Sequence, residues 1–289
     1  MQAGNDKPRW ILTATCPSGH GQVAAVSGLI TQGKGFITEF SCFDDELAGR
    51  FFIRCVFYVD SPNVGEENLR AAFAALAANM KMEWTLTPQA ERMRLLLMVS
   101  QHDHCLRDLL YRVRIGELPV EIVGIVSNHE TLAPLAAADQ IPFHYLPVSA
   151  ETKPQQEAAV WEIIERERVQ LVVLARYMQV LSDSFCARLQ GRAINIHHSF
   201  LPGFKGARPY HQAYERGVKI IGATAHYVTA DLDEGPIIEQ VVERVGHAFL
   251  PEELKSLGRD MECRALARAV RLHTEHRIFL SGNRTVILG

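Results

Sequence analysis

Ala193-Ile194-Asn195-Ile196-His197-His198-Ser199-Phe200-Leu201-Pro202-Gly203 is the stretch from which the fold of this 289-residue chain is read. It opens as a short apolar block, residues 193–196, and breaks at once into a polar cluster. Three blocks of the same kind lie upstream, at residues 95–99, 122–126 and 169–174, with helical spacing between them at 106–113 and 158–167. Continuous apolar blocks, rather than alternation, are what parallel strands buried on both faces require. Residues 93–289 are therefore expected to form a doubly wound α/β domain, with ligands held beyond the carboxyl ends of its strands.

Working outward, the pattern changes before residue 93. Residues 9–15 read as a strand, Gly19-His20-Gly21 as a turn, and Val23, Val26, Leu29 and Ile30 as one helical face. Residues 36–43 and 50–60 alternate around the charged turn Asp44-Asp45-Glu46, Leu69, Phe73, Leu76 and Met80 mark a second helix, and 82–87 a last strand. The order βαββαβ is the ferredoxin-like arrangement, closing near Thr87. Residues 88–92, polar and containing Pro88, form the linker. At the other end, residues 252–277 are amphipathic and rich in Arg and Glu, as a charged helix packed on a sheet would be.

Hydrophobic residues make up 47 % and charged residues 22 % of the chain, ordinary globular usage. A net charge of −3 provides no basic footprint for nucleic acid or anionic lipid. The apolar runs are far shorter than the ~18 residues needed to cross a bilayer, and residues 1–9 lack the apolar centre of an export signal. The cytoplasm is the expected compartment. Six cysteines without a C-x-x-C pair are expected as reduced thiols.

In a strand, positions 195 and 197 share a face, so the Asn195 amide and the His197 imidazole converge, while His198 should face away. A second cluster follows a strand over 220–229 that contains His226: Asp231-Leu232-Asp233-Glu234-Gly235-Pro236, where the Gly-Pro turn aims Asp233 back at the sheet edge. Taken singly, Asp233 also fits a solvated acidic turn and His197 a core histidine; together they suit polarisation of a carbonyl. His102, Asp103, His104 and Cys105, with His197, His198, His211 and His226, offer metal-ligand chemistry as a rival. Adjacent residues rarely close on one ion and there is no HExxH, so no metal is expected.

Asn195-Ile196-His197-His198-Ser199-Phe200-Leu201-Pro202, with His226-Tyr227-Val228-Thr229 and Asp233-Glu234-Gly235-Pro236-Ile237-Ile238, resembles the folate-dependent formyltransferase family over residues 93–245. The resemblance implies that Asn195, His197 and Asp233 are catalytic. It also implies that the loop 174–181 binds folate through Met178, Gln179, Val180 and Leu181, with His226 and Gly235 as further folate contacts. Gln179 stands where some relatives have Arg. In place of the phosphate-cradling glycine loop of the purine-pathway transferases, this chain has Ser100-Gln101-His102-Asp103-His104-Cys105-Leu106. That loop resembles the hydrolytic branch, the formyltetrahydrofolate deformylases, and implies hydrolysis of 10-formyltetrahydrofolate to formate and tetrahydrofolate, in support of purine synthesis.

On that reading Asn195 and His197 face the oxyanion, and Asp233 activates water, directly or through the histidine, and assists proton delivery to the leaving nitrogen. With neither G-x-G-x-x-G nor G-x-x-x-x-G-K-[ST], no cofactor is expected; folate is the substrate. Residues 1–87 resemble an ACT-type regulatory domain, which implies an amino-acid effector and a homo-oligomer, although Ser18-Gly19-His20-Gly21 replaces the usual Asp-Arg-Pro-Gly turn. A formyltransferase for an unphosphorylated acceptor and an amino-acid-sensing binding protein remain the rival readings.

Overall fold

The computed structural model describes residues 7–60, 66–203 and 209–289, so part of the opening stretch read for an export signal lies outside it. Contacts divide the chain into two units. The first contains β1 (Arg9–Pro17), α1 (Gln22–Gln32), β2 (Gly35–Asp45), β3 (Arg50–Val59), α2 (Glu66–Met80) and β4 (Glu83–Pro88). Its strands form an antiparallel sheet in the order β2-β3-β1-β4, the expected ferredoxin-like arrangement. Ile53, Cys55 and Phe57 of β3 point to one face, where they pack with Leu12, Val26, Ile30, Leu69 and Phe73 under the two helices.

The second unit runs through β5 (Met93–Val99), α3 (His104–Arg114), β6 (Val120–Ser127), α4 (Ala133–Ala138), β7 (Phe143–Tyr145), α5 (Lys153–Arg166), β8 (Leu171–Leu174), α6 (Asp183–Arg188), β9 (Ala193–His197), α7 (Pro209–Glu215), β10 (Ile220–Tyr227), β11 (Ile237–Arg244) and α8 (Pro251–Thr274). These strands form one sheet in the order β11-β10-β9-β8-β5-β6-β7. The pairs from β9 to β7 are parallel, whereas β10 runs antiparallel beside β9 and β11 antiparallel beside β10. From β5 the chain winds outward to β6 and β7, then returns to β8 on the other side. The switch point lies between β5 and β8, and the loops leaving their carboxyl ends open a crevice there. Helix α8 lays Leu254, Met261, Ala265, Leu266, Ala269 and Val270 on the core at helical spacing. Among the described residues no helix is long and apolar enough to cross a membrane.

The C-terminal end departs from the sequence reading, which carried the second domain through residue 289. A last hairpin, β12 (Ile278–Ser281) and β13 (Arg284–Ile287), follows α8, and residues 275–281 and 286–289 belong to the first unit. The cause is the second face of β3. Phe52 and Arg54 point there and are almost wholly buried, so Phe52 requires a cover, and Arg54 hydrogen-bond partners besides Glu39 of β2, that the βαββαβ module does not contain. Phe279 meets Phe52 edge-on at 5.5 Å, and Leu288 packs with the pair. Arg54 donates to Glu39 at 2.7 Å and to the Glu275 carbonyl at 2.9 Å, and Arg277 reaches the same Glu39 carboxylate at 2.8 Å.

A buried charge left without its partner costs about 3–5 kcal/mol. Glu39→Ala should therefore lower the unfolding free energy of the first unit by that amount, read as a lower midpoint in urea unfolding. An unchanged midpoint would mean that water, not Glu39, neutralises Arg54.

Candidate functional site

The antiparallel register of β10 on β9 sets His226 opposite Asn195 and Thr224 opposite His197. The Asn195 Nδ2 lies 3.2 Å from His226 Nε2, and His226 Nδ1 lies 2.9 Å from the Tyr227 carbonyl oxygen. A carbonyl only accepts, so Nδ1 carries the proton and Nε2 accepts from the Asn195 amide. The second amide hydrogen of Asn195 stays available to the cavity. Thr224 donates to the Ser199 carbonyl and accepts from the Leu201 N–H, which pins the turn where β9 ends.

Beyond β10 the chain turns through residues 229–236. Thr229 donates to the Asp231 carbonyl, Glu234 N–H to the same oxygen, and Tyr227 N–H to the Pro236 carbonyl. The turn places Asp233, at a left-handed φ of 58°, with Oδ2 3.2 Å from His197 Nδ1 and Oδ1 3.7 Å from His226 Nε2. Burial pushes the Asp233 carboxyl up, but hydrogen bonding and charge from His197 prevail and hold it well below the usual carboxylate range. His197 Nε2 is buried without a hydrogen-bond partner among the described residues.

These groups line one cavity of about 690 Å³ at the switch point. Met178, Gln179, Val180 and Leu181 form its apolar side, as expected from sequence, with Met178 and Val180 half-exposed and Leu181 buried. Ser100, at the end of β5, fixes this loop: its hydroxyl accepts from Met178 N–H at 3.0 Å and donates to Asn128 at 2.7 Å.

Gly235, expected among the folate contacts, does not line the cavity. A Cβ there would fall 1.8 Å from the Tyr227 carbonyl oxygen, so the glycine serves close backbone approach under the Asp233 turn. His198 was expected to face away from His197 but also lines the cavity, its ring 5.2 Å from that of His197. Strand alternation ends at His197, where β9 stops. Burial, with Arg176 and His197 nearby, pushes His198 down to about 4, so it is neutral at pH 7.

Sequence reasoning missed the opposite wall. Glu262 of α8, 2 % exposed, accepts from Tyr210 at 3.0 Å and lies 2.8 Å from His104 Nε2, with Arg176 Nε at 3.4 Å. Arg176 holds a left-handed φ of 66°, a costly conformation for a long side chain that turns the loop after β8 into the cavity. Gly258 makes room for this wall, since a Cβ there would lie 2.0 Å from the Tyr210 hydroxyl. The available signal was Glu262 itself, a carboxylate beside Met261 in the apolar stripe of α8. His104, Cys105 and Glu262 also bring ligand-type atoms within 4.8 Å of one another. Their present partners are hydrogen-bond donors and acceptors, and the Cys105 thiol is raised well above its ordinary range by its hydrogen bond with the Cys263 thiol and by burial.

The formyl transferase family pattern matches residues 93–270. Over 98 % of its length the chain is 51 % identical to 99 % of a formyltetrahydrofolate deformylase from Corynebacterium sp. (strain P-1). The chain belongs to the formyltetrahydrofolate deformylase family. The crystal structure of a formyltetrahydrofolate deformylase from Burkholderia mallei ATCC 23344 superposes with a TM-score of 0.93 at 55 % identity, covering 98 % of this chain and 100 % of that one. Glycinamide ribonucleotide transformylase 1 from Symbiobacterium toebii matches at a TM-score of 0.66 and 31 % identity, over 71 % of this chain and 98 % of its own. Full-length coverage by the deformylases, against partial coverage by the transformylase, means that the family's members share both units.

Gly235→Ala must push the Tyr227 carbonyl away from the Asp233 turn. Overpacking against rigid backbone costs about 3 kcal/mol. A lower melting temperature by circular dichroism is expected; an unchanged one would show that the turn relaxes freely.

Proposed function

We propose that the protein hydrolyses 10-formyltetrahydrofolate to formate and tetrahydrofolate, with Asn195, His197 and Asp233 as the reacting residues. The observation that carries this reading is the buried, unpartnered His197 Nε2 beside the Asn195 amide, in a cavity of about 690 Å³. Ligand pockets for molecules of this size run to about 300–1,000 Å³. The pterin fits against the backbone of residues 176–181, with Met178, Val180 and Leu181 on its apolar faces and Gln179 at the rim. His226 supports Asn195 rather than meeting the folate itself.

The formyl group on N10 is amide-like, so attack by water makes an oxyanion and a poor leaving group. The Asn195 Nδ2 hydrogen and His197 Nε2–H meet the oxyanion where charge develops. To donate from Nε2 while Nδ1 donates to Asp233, the ring carries both protons. Asp233 acts through this histidine: it stays a carboxylate, orients the ring, and supports the transfer of the Nε2 proton to N10 as the C–N bond breaks.

For the first unit, we infer subunit pairing through the edges β2, which leaves Phe36 and Phe43 exposed, and β4, and an amino-acid effector bound to this unit. Light scattering on the full chain should report a homo-oligomer; a monomer would overturn that pairing.

Formate should appear when 10-formyltetrahydrofolate is supplied with no amine, and a strict need for an acceptor would establish a transferase instead. Asp233→Asn, Asn195→Ala and His197→Ala should each lower turnover by about 10²-fold or more, with folate binding largely kept. Pairs should cost less than the product of the single losses, because the three act as a unit. A folded Asp233→Asn protein with normal turnover would remove Asp233 from the mechanism.

A further inference from the structure

Hydrolysis needs a group that takes a proton from water, and the pair at Asp233 supplies none. Its carboxyl is held far below the usual range, which makes it a weak base, and His197 needs both of its ring protons to face Asp233 and the oxyanion. We propose that His104 is the general base for the hydrolytic water and that Glu262 is the positioning residue that sets its tautomer. This deepens the hydrolase reading above and rests on it.

His104 opens α3 at the carboxyl end of β5, the end of the sheet at which His197 closes β9, and it lines the same cavity. Burial pushes the Glu262 carboxyl up, but the His104 hydrogen bond and the Arg176 charge overcome it, so Glu262 is ionised. An ionised carboxylate only accepts. At 2.8 Å from Glu262 Oε2, His104 Nε2 therefore carries the proton, and the lone pair sits on Nδ1. A carboxylate that holds one imidazole nitrogen protonated so that the other can act as a base is the arrangement of hydrolytic triads. Tyr210 on Oε1 and Arg176 beside Oε2 fix the carboxylate in place. The groups around the imidazole are His102, whose ring is 6.2 Å away, Glu262, Arg176, and the buried thiol of Cys105. A cation at this point would sit against the Arg176 guanidinium, and the Cys105 thiol is kept protonated, so the cluster fits proton transfer better than metal binding.

The steps balance. His104 Nδ1 takes a proton as the water oxygen bonds to the formyl carbon, and the carbonyl electron pair moves onto oxygen. The tetrahedral adduct collapses, the C–N10 bond breaks, and its electron pair takes the His197 Nε2 proton. Formic acid returns a proton to His197 and leaves as formate, while His104 loses its proton to solvent.

The test is formate release by full-length His104→Gln, which keeps a donor toward Glu262 but has no basic nitrogen, together with calorimetric binding of tetrahydrofolate. Turnover should fall by about 10²-fold or more with the tetrahydrofolate affinity largely unchanged. Added imidazole should restore part of the turnover of His104→Ala in a concentration-dependent way, a rescue that a merely structural histidine would not permit. Glu262→Gln should lower turnover with little change in KM. A folded His104→Gln protein with near-normal turnover overturns the proposal. So does wild-type activity that is lost on chelation, regained with zinc, and accompanied by bound metal that His104→Gln lacks. Wild-type protein that releases no formate at all overturns the hydrolase reading itself, a result distinct from either.

Discussion

The antiparallel register of β10 on β9 is the constraint on which the cavity depends. Because β10 runs back along the last parallel strand, His226 arrives opposite Asn195 instead of several residues away, and the chain leaves β10 at the rim where β9 ends. The turn it then makes can carry Asp233 to within 3.2 Å of His197 only if the strand ends at Tyr227 and its carbonyl can approach residue 235 closely. A slip of one residue would send His226 to the other face of the sheet and release Asn195. One register and one glycine thus settle the positions of four polar side chains.

Two carboxylates, Asp233 and Glu262, are held in the walls of this one cavity, and taking either out of water is costly. Each is compensated by its neighbours: Asp233 by His197 on Oδ2, Glu262 by His104 and Arg176 on one oxygen and Tyr210 on the other. Local backbone strain accompanies the arrangement, since Asp233 and Arg176 both occupy the left-handed region. Such conformations persist where the surroundings over-determine them, and here the surroundings are the hydrogen-bonded turn 229–236 and the loop fixed by Ser100. Between the carboxylates lies His198, kept neutral by burial and Arg176, so the two charged pairs are separated by an uncharged ring.

Much of this was legible in the sequence, for reasons local to the chain. Alternation over 36–60 and continuous apolar blocks from 95 onward encode half-buried and fully buried strands, and the sheets follow. Asn195 and His197 were joined by strand parity, a rule that spans two residues. The rule misplaced His198 because it expires where β9 ends. Glu262 and His104 are 158 residues apart in sequence, and no periodicity brings a residue of α8 to one of α3. The C-terminal segment escaped for the same reason: it answers to Phe52 and Arg54, whose need for a partner becomes visible only when β3 is seen to be buried on both faces. The turn at Gly235 that brings Asp233 back was legible, but the close approach of the Tyr227 carbonyl that requires a glycine there was not, since a glycine required by a carbonyl and one required by a ligand look alike in a sequence.

The difference between passing a formyl group to an amine and passing it to water lies in what the nucleophile brings. An amine with a lone pair attacks unaided once it is positioned, whereas water must lose a proton to become effective. A site for a phosphorylated amine would keep the backbone amides after β5 open for the phosphate. In this chain the side chains of that loop are turned to other uses: the Ser100 hydroxyl joins the 176–181 loop to Asn128, Asp103 pairs with Arg107 within α3, and His104 faces the buried carboxylate of α8. The space in which an acceptor would be anchored is thereby given over to groups that hold a loop and handle a proton. That exchange suits a small, neutral, uncharged nucleophile and explains how one sheet, with the same convergence of Asn195, His197 and Asp233, can serve hydrolysis.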